Sequence, residues 1–187
     1  MIVAIAPVLI ALASFFLRIF NIASIKSMIF DEVYYVDGAR DFLKYGVEVT
    51  GADPEFVVHP PVGKWLIASG IKVFGDNPLG WRFTTALLGS VMILVIALIA
   101  HRLFYSPVLT ALAAALMAVD GLALVHSRTA LLDNFLAFFI LVATHFFISR
   151  KYWWSGAFLG LALATKWSAL YFILVFSLIA LYRAFNH

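Results

Sequence analysis

The sequence predicts an all-α protein that crosses a membrane several times. Of its 187 residues, 64% are hydrophobic and only 12% are charged, whereas soluble domains average about 45–50% apolar and about 25% charged residues. The apolar residues are gathered in runs close to the roughly 20 residues that a helix needs to cross the hydrocarbon core. The absence of cysteine excludes disulfides, thiolate metal sites and a cysteine nucleophile. The net charge of +3 is too small to indicate a nucleic-acid partner.

The first apolar run, residues 2–20, is predicted to be a transmembrane helix. It is apolar as far as Arg18, and it lacks the basic start and the small-residue cleavage site of a signal peptide. Three later runs of the same character are predicted to be further spans: residues 83–100, 107–125 and 132–149. The last run, residues 155–182, is interrupted around Lys166 and fits either one long tilted helix or two short ones.

The basic residues predict the orientation, because Lys and Arg concentrate in the cytoplasmic loops of membrane proteins. His101-Arg102 and Arg150-Lys151 end the second and fourth runs. The amino terminus is therefore predicted to be cytoplasmic, and residues 21–82 and the 126–133 turn are predicted to lie outside. A short hairpin at residues 155–182 is favoured, since it returns the basic end of that run to the cytoplasmic side.

The outer segment, residues 21–82, is predicted to contain two helices that lie at the membrane interface. It holds all of the ten acidic residues except Asp120 and Asp133. In residues 31–45 the apolar and aromatic side chains recur at about helical spacing, and a glycine follows that can end the helix. A loop with Gly and Pro breakers comes next. Residues 62–74 then form a second helix, too short to span but suited to the interface.

Four polar clusters are predicted to face this outer surface. They are Asp31-Glu32, H-P-P-V-G-K at 59–64, S-R-T-A-L-L-D at 127–133 and A-T-K-W-S at 164–168. A carboxylate can act as the base for an acceptor hydroxyl within hydrogen-bond reach, and cations stabilise the charge that builds up on a departing phosphate. Together on one aqueous face, these groups suit the transfer of a group from a lipid-linked phosphate to a hydroxyl.

Each cluster also has a structural interpretation that the sequence leaves open. Adjacent acids at a helix start, such as Asp31-Glu32, stabilise free backbone N–H groups and the helix dipole. His59 can be an ordinary loop residue, and Lys64 can be an interfacial anchor that reaches lipid headgroups. Arg128 and Asp133 can form a structural ion pair at a helix end.

Two further charged residues are open to two interpretations. Arg82, like Lys64, can extend to the headgroups as an interfacial anchor. Asp120 lies inside the 107–125 run, where a carboxylate is costly and usually functional. The neighbouring Gly121 also allows a close helix contact at this position.

Taken in order, the motifs resemble those of protein O-mannosyltransferases, and the chain is most similar to the actinobacterial-type bacterial members. The motifs are F-D-E-V-Y-Y at 30–35, H-P-P-V-G-K at 59–64, S-R-T-A-L-L-D at 127–133 and L-A-L-A-T-K-W-S-A-L-Y at 161–171. The resemblance covers essentially the whole chain and implies the helical bundle of the C-type glycosyltransferase fold. It also implies a reaction in which mannose passes, with inversion, from polyprenyl phosphate mannose to a Ser or Thr hydroxyl of a protein crossing the membrane.

The resemblance implies roles for individual residues. Asp31 matches the acidic position proposed as the general base, and Glu32 would hold the acceptor or orient the pair. Arg128 and Lys166 would hold the phosphate of the lipid donor, with Asp133 orienting Arg128. The family is not thought to depend on a bound metal, so no metal or other cofactor is expected.

The resemblance also implies the surroundings of the reaction. His59 and Lys64 match the motif of the first outer loop and complete the expected substrate-binding set. The expected location is the plasma membrane, with the active face outside the cytoplasm. The expected partners are the lipid donor, a Ser/Thr-containing protein acceptor, the bilayer and, through the acceptor, the protein-export machinery.

Family members are longer and have more spans, so residues 1–187 are expected to be an amino-terminal catalytic module or a fragment. Three alternatives remain open. One is a transferase of another lipid-linked sugar, such as arabinose. Another is a non-catalytic membrane subunit whose outer loop binds a partner. The third is a transporter with a polar pathway at mid-depth, which the placement of nearly all charge at the outer margin disfavours.

Overall fold

The computed structural model describes residues 2–51, 53–54 and 58–186, and over these ranges the fold is helical apart from one short β ladder. The helices are α1 Ile2–Ile19, α2 Glu32–Tyr45, α3 Val62–Phe74, α4 Pro78–Phe104, α5 Pro107–Val119, α6 Gly121–His126, α7 Leu132–Ile148, α8 Tyr152–Leu163 and α9 Ala169–Phe185. The strands β1 Val49–Thr50 and β2 Asp53–Pro54 pair antiparallel. The helical architecture predicted from the sequence is therefore confirmed, and the small hairpin is an addition to it.

Helix α4 lies at the centre of the bundle and packs against α1, α3, α5 and α7. It begins before residue 83, the start of the predicted apolar run, because Asn77 caps it through hydrogen bonds from the N–H groups of Leu79 and Gly80, and Pro78 occupies its first turn. Within the described ranges, α4 is the helix both long and apolar enough to cross a membrane, with a mean hydropathy of 2.5. Helices α1, α5, α7 and α9 are shorter apolar helices.

The predicted run 107–125 is divided at Asp120. This residue leaves the helical conformation, with φ −61° and ψ 122°, and its carboxylate accepts a hydrogen bond of 2.7 Å from the N–H of Ala123. Asp120 therefore ends α5 and caps α6, and its side chain is exposed. The close helix contact offered for Gly121 is not formed by the described residues, because a Cβ there would meet nothing within 4 Å, whereas a functional role for Asp120 stays a prediction.

The last apolar run is divided around Lys166 into α8 and α9. The linker between them, residues 164–168, lies against the start of α3, where the N–H of Val62 donates to the carbonyl of Ala164 at 3.0 Å. Gly63 makes this approach close, because a Cβ there would overlap the side chain of Leu132 and crowd that of Thr165. Helix α3 is thereby fixed against α7 and the linker.

Candidate active site

An open cavity of about 650 Å³ lies beside helix α2, the loop that follows it and the start of α3. Three of the residues predicted for the site line it, namely Asp31, His59 and Lys64. Tyr35 also lines it, with an otherwise buried side chain. The cavity therefore joins residues from the first two sequence motifs.

Asp31 precedes α2, but its side chain does not cap that helix. Its carboxylate accepts a hydrogen bond of 3.3 Å from the hydroxyl of Tyr35, one helical turn further along. Asp31 is half-buried and faces the cavity. For Asp31, the capping interpretation is wrong, and the carboxylate is placed where a substrate hydroxyl can reach it.

Glu32, the neighbour of Asp31, is fully buried at 0% exposure. Its carboxylate accepts hydrogen bonds from Arg82 at 2.8 and 2.7 Å, from the N–H of Ala130 at 2.6 Å and from the N–H of Ile29 at 2.9 Å. These donors enclose both carboxylate oxygens. The predicted contact between Glu32 and the acceptor is therefore not what this arrangement provides, whereas the predicted role of orienting the acidic pair is compatible with it.

Arg82 completes this buried cluster and does not reach out to lipid headgroups as an anchor would. Besides Glu32 it donates to three backbone carbonyls of the segment after α1, those of Ile22, Ile25 and Ser27. The pair thus ties that segment and the start of α2 to α4 and the 127–131 turn. Because of these bonds, the backbone at Asp31 is held from several sides.

Lys64 is also buried, and it forms an ion pair with Glu48 from the loop after α2. Gly38 makes room for this pair, because a Cβ at that position would overlap the Glu48 carboxylate. The pair rules out an exposed interfacial anchor at Lys64. Sequence reasoning missed Glu48, since nothing local marks it as the partner of a residue 16 positions further on.

Lys166 pairs with Asp133, with its amine 2.7 and 2.9 Å from the two carboxylate oxygens. Both side chains remain partly exposed. The sequence prediction that Asp133 orients Arg128 is therefore wrong. The start of α7 and the α8–α9 linker approach each other here, and this contact brings Asp133 to the lysine.

Arg128 instead binds the end of α1. Its guanidinium donates to the carbonyls of Leu17, Arg18 and Phe20 at 2.6–2.9 Å. A cation at the carboxyl end of a helix satisfies free carbonyls and is stabilised by the helix dipole. Among the described residues, no hydrogen bond joins Arg128 to the other predicted site residues.

Electrostatic effects show that the remaining groups lie near one another. Burial first, and then the charges of Lys166 and Lys64, lower the pKa of His59 below its ordinary value. Burial and the neighbouring Asp31 carboxylate raise the pKa of Tyr35. The rings of Tyr35 and His59 have centroids 6.2 Å apart. Asp31, Tyr35 and His59 therefore lie together at the cavity, and the charge of Lys166 acts on His59.

A further contact fixes the position of His59. The indole N–H of Trp167, beside Lys166, donates to the carbonyl of Val58 at 2.9 Å. Together with the backbone bond from Val62 to Ala164, this contact joins the A-T-K-W-S cluster to the H-P-P-V-G-K cluster and the residue before it. In the part of the chain that the structure describes, no group of three His, Asp or Glu side chains is arranged to hold a metal ion.

The apolar helices and the ionisable cavity define a helical membrane protein with a polar site at one end of its bundle. A model of the dolichyl-phosphate-mannose-protein mannosyltransferase family matches residues 58–187. The chain therefore belongs to this family, as the motifs predicted.

Similar proteins carry the name polyprenol-phosphate-mannose–protein mannosyltransferase. That of Mycobacterium tuberculosis is 38% identical over 92% of this chain and 39% of its own length. That of Mycolicibacterium smegmatis is 36% identical over 95% of this chain and 41% of its own length. That of Corynebacterium glutamicum is 38% identical over 82% of this chain and 36% of its own length. The chain thus spans less than half the length of these relatives.

Proposed function

We propose that the protein transfers mannose from polyprenyl phosphate mannose to Ser or Thr hydroxyls of proteins that cross the membrane. The observation that carries the proposal is the Asp31 carboxylate, which faces the cavity beside Tyr35, His59 and the Lys166 pair. The names of the relatives supply the classes of donor and acceptor.

In this reaction Asp31 is the general base. The acceptor hydroxyl oxygen attacks the anomeric carbon of mannose, and Asp31 takes the hydroxyl proton as the new C–O bond forms. The bond between that carbon and the phosphate oxygen breaks, and polyprenyl phosphate leaves with the electron pair. Attack on the face opposite the leaving group inverts the sugar carbon. Glu32 and Arg82 act by positioning the Asp31 backbone.

The leaving phosphate gains negative charge, which a nearby cation stabilises. Lys166 is the preferred group in this proposal, because its amine is partly exposed and Asp133 holds it close to His59. Arg128 remains a second candidate, although its terminal nitrogens are bonded to the end of α1. Lys64 and His59 shape the cavity wall between the two substrates.

The proposed setting is the plasma membrane, with the amino terminus in the cytoplasm and the cavity on the outer side. Helix α1, helix α4, α5 together with α6, and helix α7 then cross in sequence, and α8 and α9 form a short hairpin. Helices α2 and α3 lie at the outer interface. Residues 1–187 would be the amino-terminal catalytic module. Basic residues at 101–102, near the end of α4, and at 150–151, after α7, fall at the opposite end from Asp31 and support this orientation.

The test is transfer of radiolabelled mannose from polyprenyl phosphate mannose to a Ser/Thr-rich peptide. The chain is assayed alone and in a chimera that supplies the rest of the Mycolicibacterium smegmatis relative. Asp31→Asn is expected to lower transfer by about 10²–10⁴-fold, the usual contribution of a general base. Asp120→Asn is the matched control, because asparagine caps a helix about as well as aspartate.

Two results would reject the proposal. Near-parental transfer by Asp31→Asn removes Asp31 as the base. Absence of label with both the chain and the chimera would favour a non-catalytic subunit.

A further inference from the structure

Another cavity, lined by two arginines, lies at the other end of the bundle from the candidate active site. It has a volume of about 330 Å³ and is lined by Arg150, Tyr152, Ala180, Arg183 and Ala184. Helix α7, which begins next to Asp133, has 17 residues and is therefore about 25 Å long at about 1.5 Å per residue. This cavity, the Arg150–Arg183 cavity, is thus separated from the site by the length of that helix.

Arg150 has an unusual backbone conformation in the turn between α7 and α8. Its φ of 57° lies in the left-handed region, where glycine or asparagine usually follows a helix end. An arginine is disfavoured there by its Cβ, and such local strain concentrates at functional positions. Arg150 lines the cavity, which offers a reason for an arginine at this strained position.

Arg183 supplies a second guanidinium from the end of α9. It lies over the ring of Phe147, with its central carbon 5.2 Å from the ring centroid. This cation–π contact holds the guanidinium in place, and the N–H groups at the edge of the guanidinium plane can still donate hydrogen bonds. One arginine from the α7–α8 turn and one from the end of α9 therefore line the same cavity, as in sites that bind phosphate oxygens.

The charge around the cavity is not balanced by the described residues. Among the described residues, no ion pair involves Arg150 or Arg183. Lys151 adds a further positive charge in the same turn. A ligand with net negative charge is therefore favoured over a zwitterionic one.

Aromatic side chains beside the cavity indicate that the ligand is a lipid. Trp153 is 94% exposed and Trp154 is 60% exposed, directly after Tyr152. Exposed Trp and Tyr residues are enriched where membrane proteins meet the headgroup region. We propose that the Arg150–Arg183 cavity binds the phosphodiester group of an anionic phospholipid.

The test compares three ligands with the purified protein in an uncharged detergent, using native mass spectrometry. They are short-chain phosphatidylglycerol, short-chain phosphatidylcholine and inorganic phosphate. Phosphatidylglycerol is expected to bind at least about tenfold more tightly than phosphatidylcholine, because the choline cation would meet the unpaired positive charges of the cavity. It is also expected to bind more tightly than inorganic phosphate, which has no acyl chains to lie beside the exposed aromatic residues. Phosphatidylcholine or inorganic phosphate binding as tightly would overturn the proposal.

Two variants locate the binding. Arg150→Gly removes the guanidinium and also relieves the left-handed backbone, so it is expected to fold at least as stably as the parent. Arg183→Gln removes the second cation. Each is expected to weaken phosphatidylglycerol binding about tenfold, whereas Lys26→Gln, an exposed charge elsewhere, is expected to change it less than twofold. Parental affinity in a folded Arg150→Gly variant would overturn the proposal.

Discussion

Replacing Arg82 with methionine is expected to destabilise the whole fold more than any exposed substitution. Arg82 is 1% exposed and Glu32 is 0% exposed, and the two are joined by hydrogen bonds of 2.8 and 2.7 Å. Arg82→Met keeps most of the side-chain volume but leaves the Glu32 carboxylate buried without its cation. Methionine also leaves the buried carbonyl of Ile22 without its donor.

The magnitude follows from the burial. Removing one partner of a buried ion pair costs about 3–5 kcal/mol, because the remaining charge is neither solvated nor paired. The carbonyls of Ile25 and Ser27 are only partly enclosed, so water can replace Arg82 there and adds little to the loss. For a chain of this size, about 1 kcal/mol lowers the melting temperature by about 2–4 °C. The expected decrease is therefore about 6–20 °C.

The assay is thermal unfolding of the purified protein in detergent, followed by tryptophan fluorescence. Arg40→Met is the matched control, because Arg40 pairs with Asp37 and Asp76 at side chains that are 35–58% exposed. Exposed pairs contribute about 0–1 kcal/mol each. The control is therefore expected to lose far less stability than Arg82→Met.

A second substitution separates the buried charge from the lost packing. Glu32→Gln removes the charge that Arg82→Met leaves behind, so the double variant is expected to be more stable than Arg82→Met alone. The reasoning is refuted if Arg82→Met melts within about 3 °C of the parent. It is also refuted if the double variant is less stable than the single one.

Two further predictions concern the surroundings of the site. Gly63→Ala should lower the melting temperature measurably, because its Cβ would overlap Leu132, whereas Gly156→Ala, which meets open space, should not; equal effects would contradict this. The pKa of His59 is lowered in the folded state. As the pH falls below about 6.5, the unfolded chain therefore takes up a proton at His59 before the folded protein does, and the folded state loses stability. His59→Gln should therefore lose less stability than the parent between pH 7 and pH 5, and parallel melting curves would contradict it.

The helices could largely be predicted from the sequence, because they depend on local patterns. The outer helix at residues 62–74 matches α3, and the interruption at Lys166 matches the linker between α8 and α9. The early start of α4 and the division at Asp120 were missed. Local signals existed for both, since Asn77 precedes a proline and Asp120 precedes a glycine, and a capping side chain outweighs the continuity of an apolar run.

The partners of the charged residues could not be predicted in this way. Asp133 lies 33 positions from Lys166, and Glu32 lies 50 positions from Arg82. Charge type and spacing along the chain do not say which opposite charge will be closest after folding. For this reason the prediction that paired Asp133 with Arg128 was wrong, although both residues were recognised.

By itself the sequence determined that this is a helical membrane protein of the mannosyltransferase family with acids and cations in four ordered motifs. Hydrophobic runs and motif residues are properties of the chain, so folding does not alter them. Only the tertiary structure separated Asp31 from Glu32, leaving the first at the cavity and enclosing the second with Arg82. The physical reason is that solvent exposure and pairing depend on helices that meet in space from distant parts of the chain.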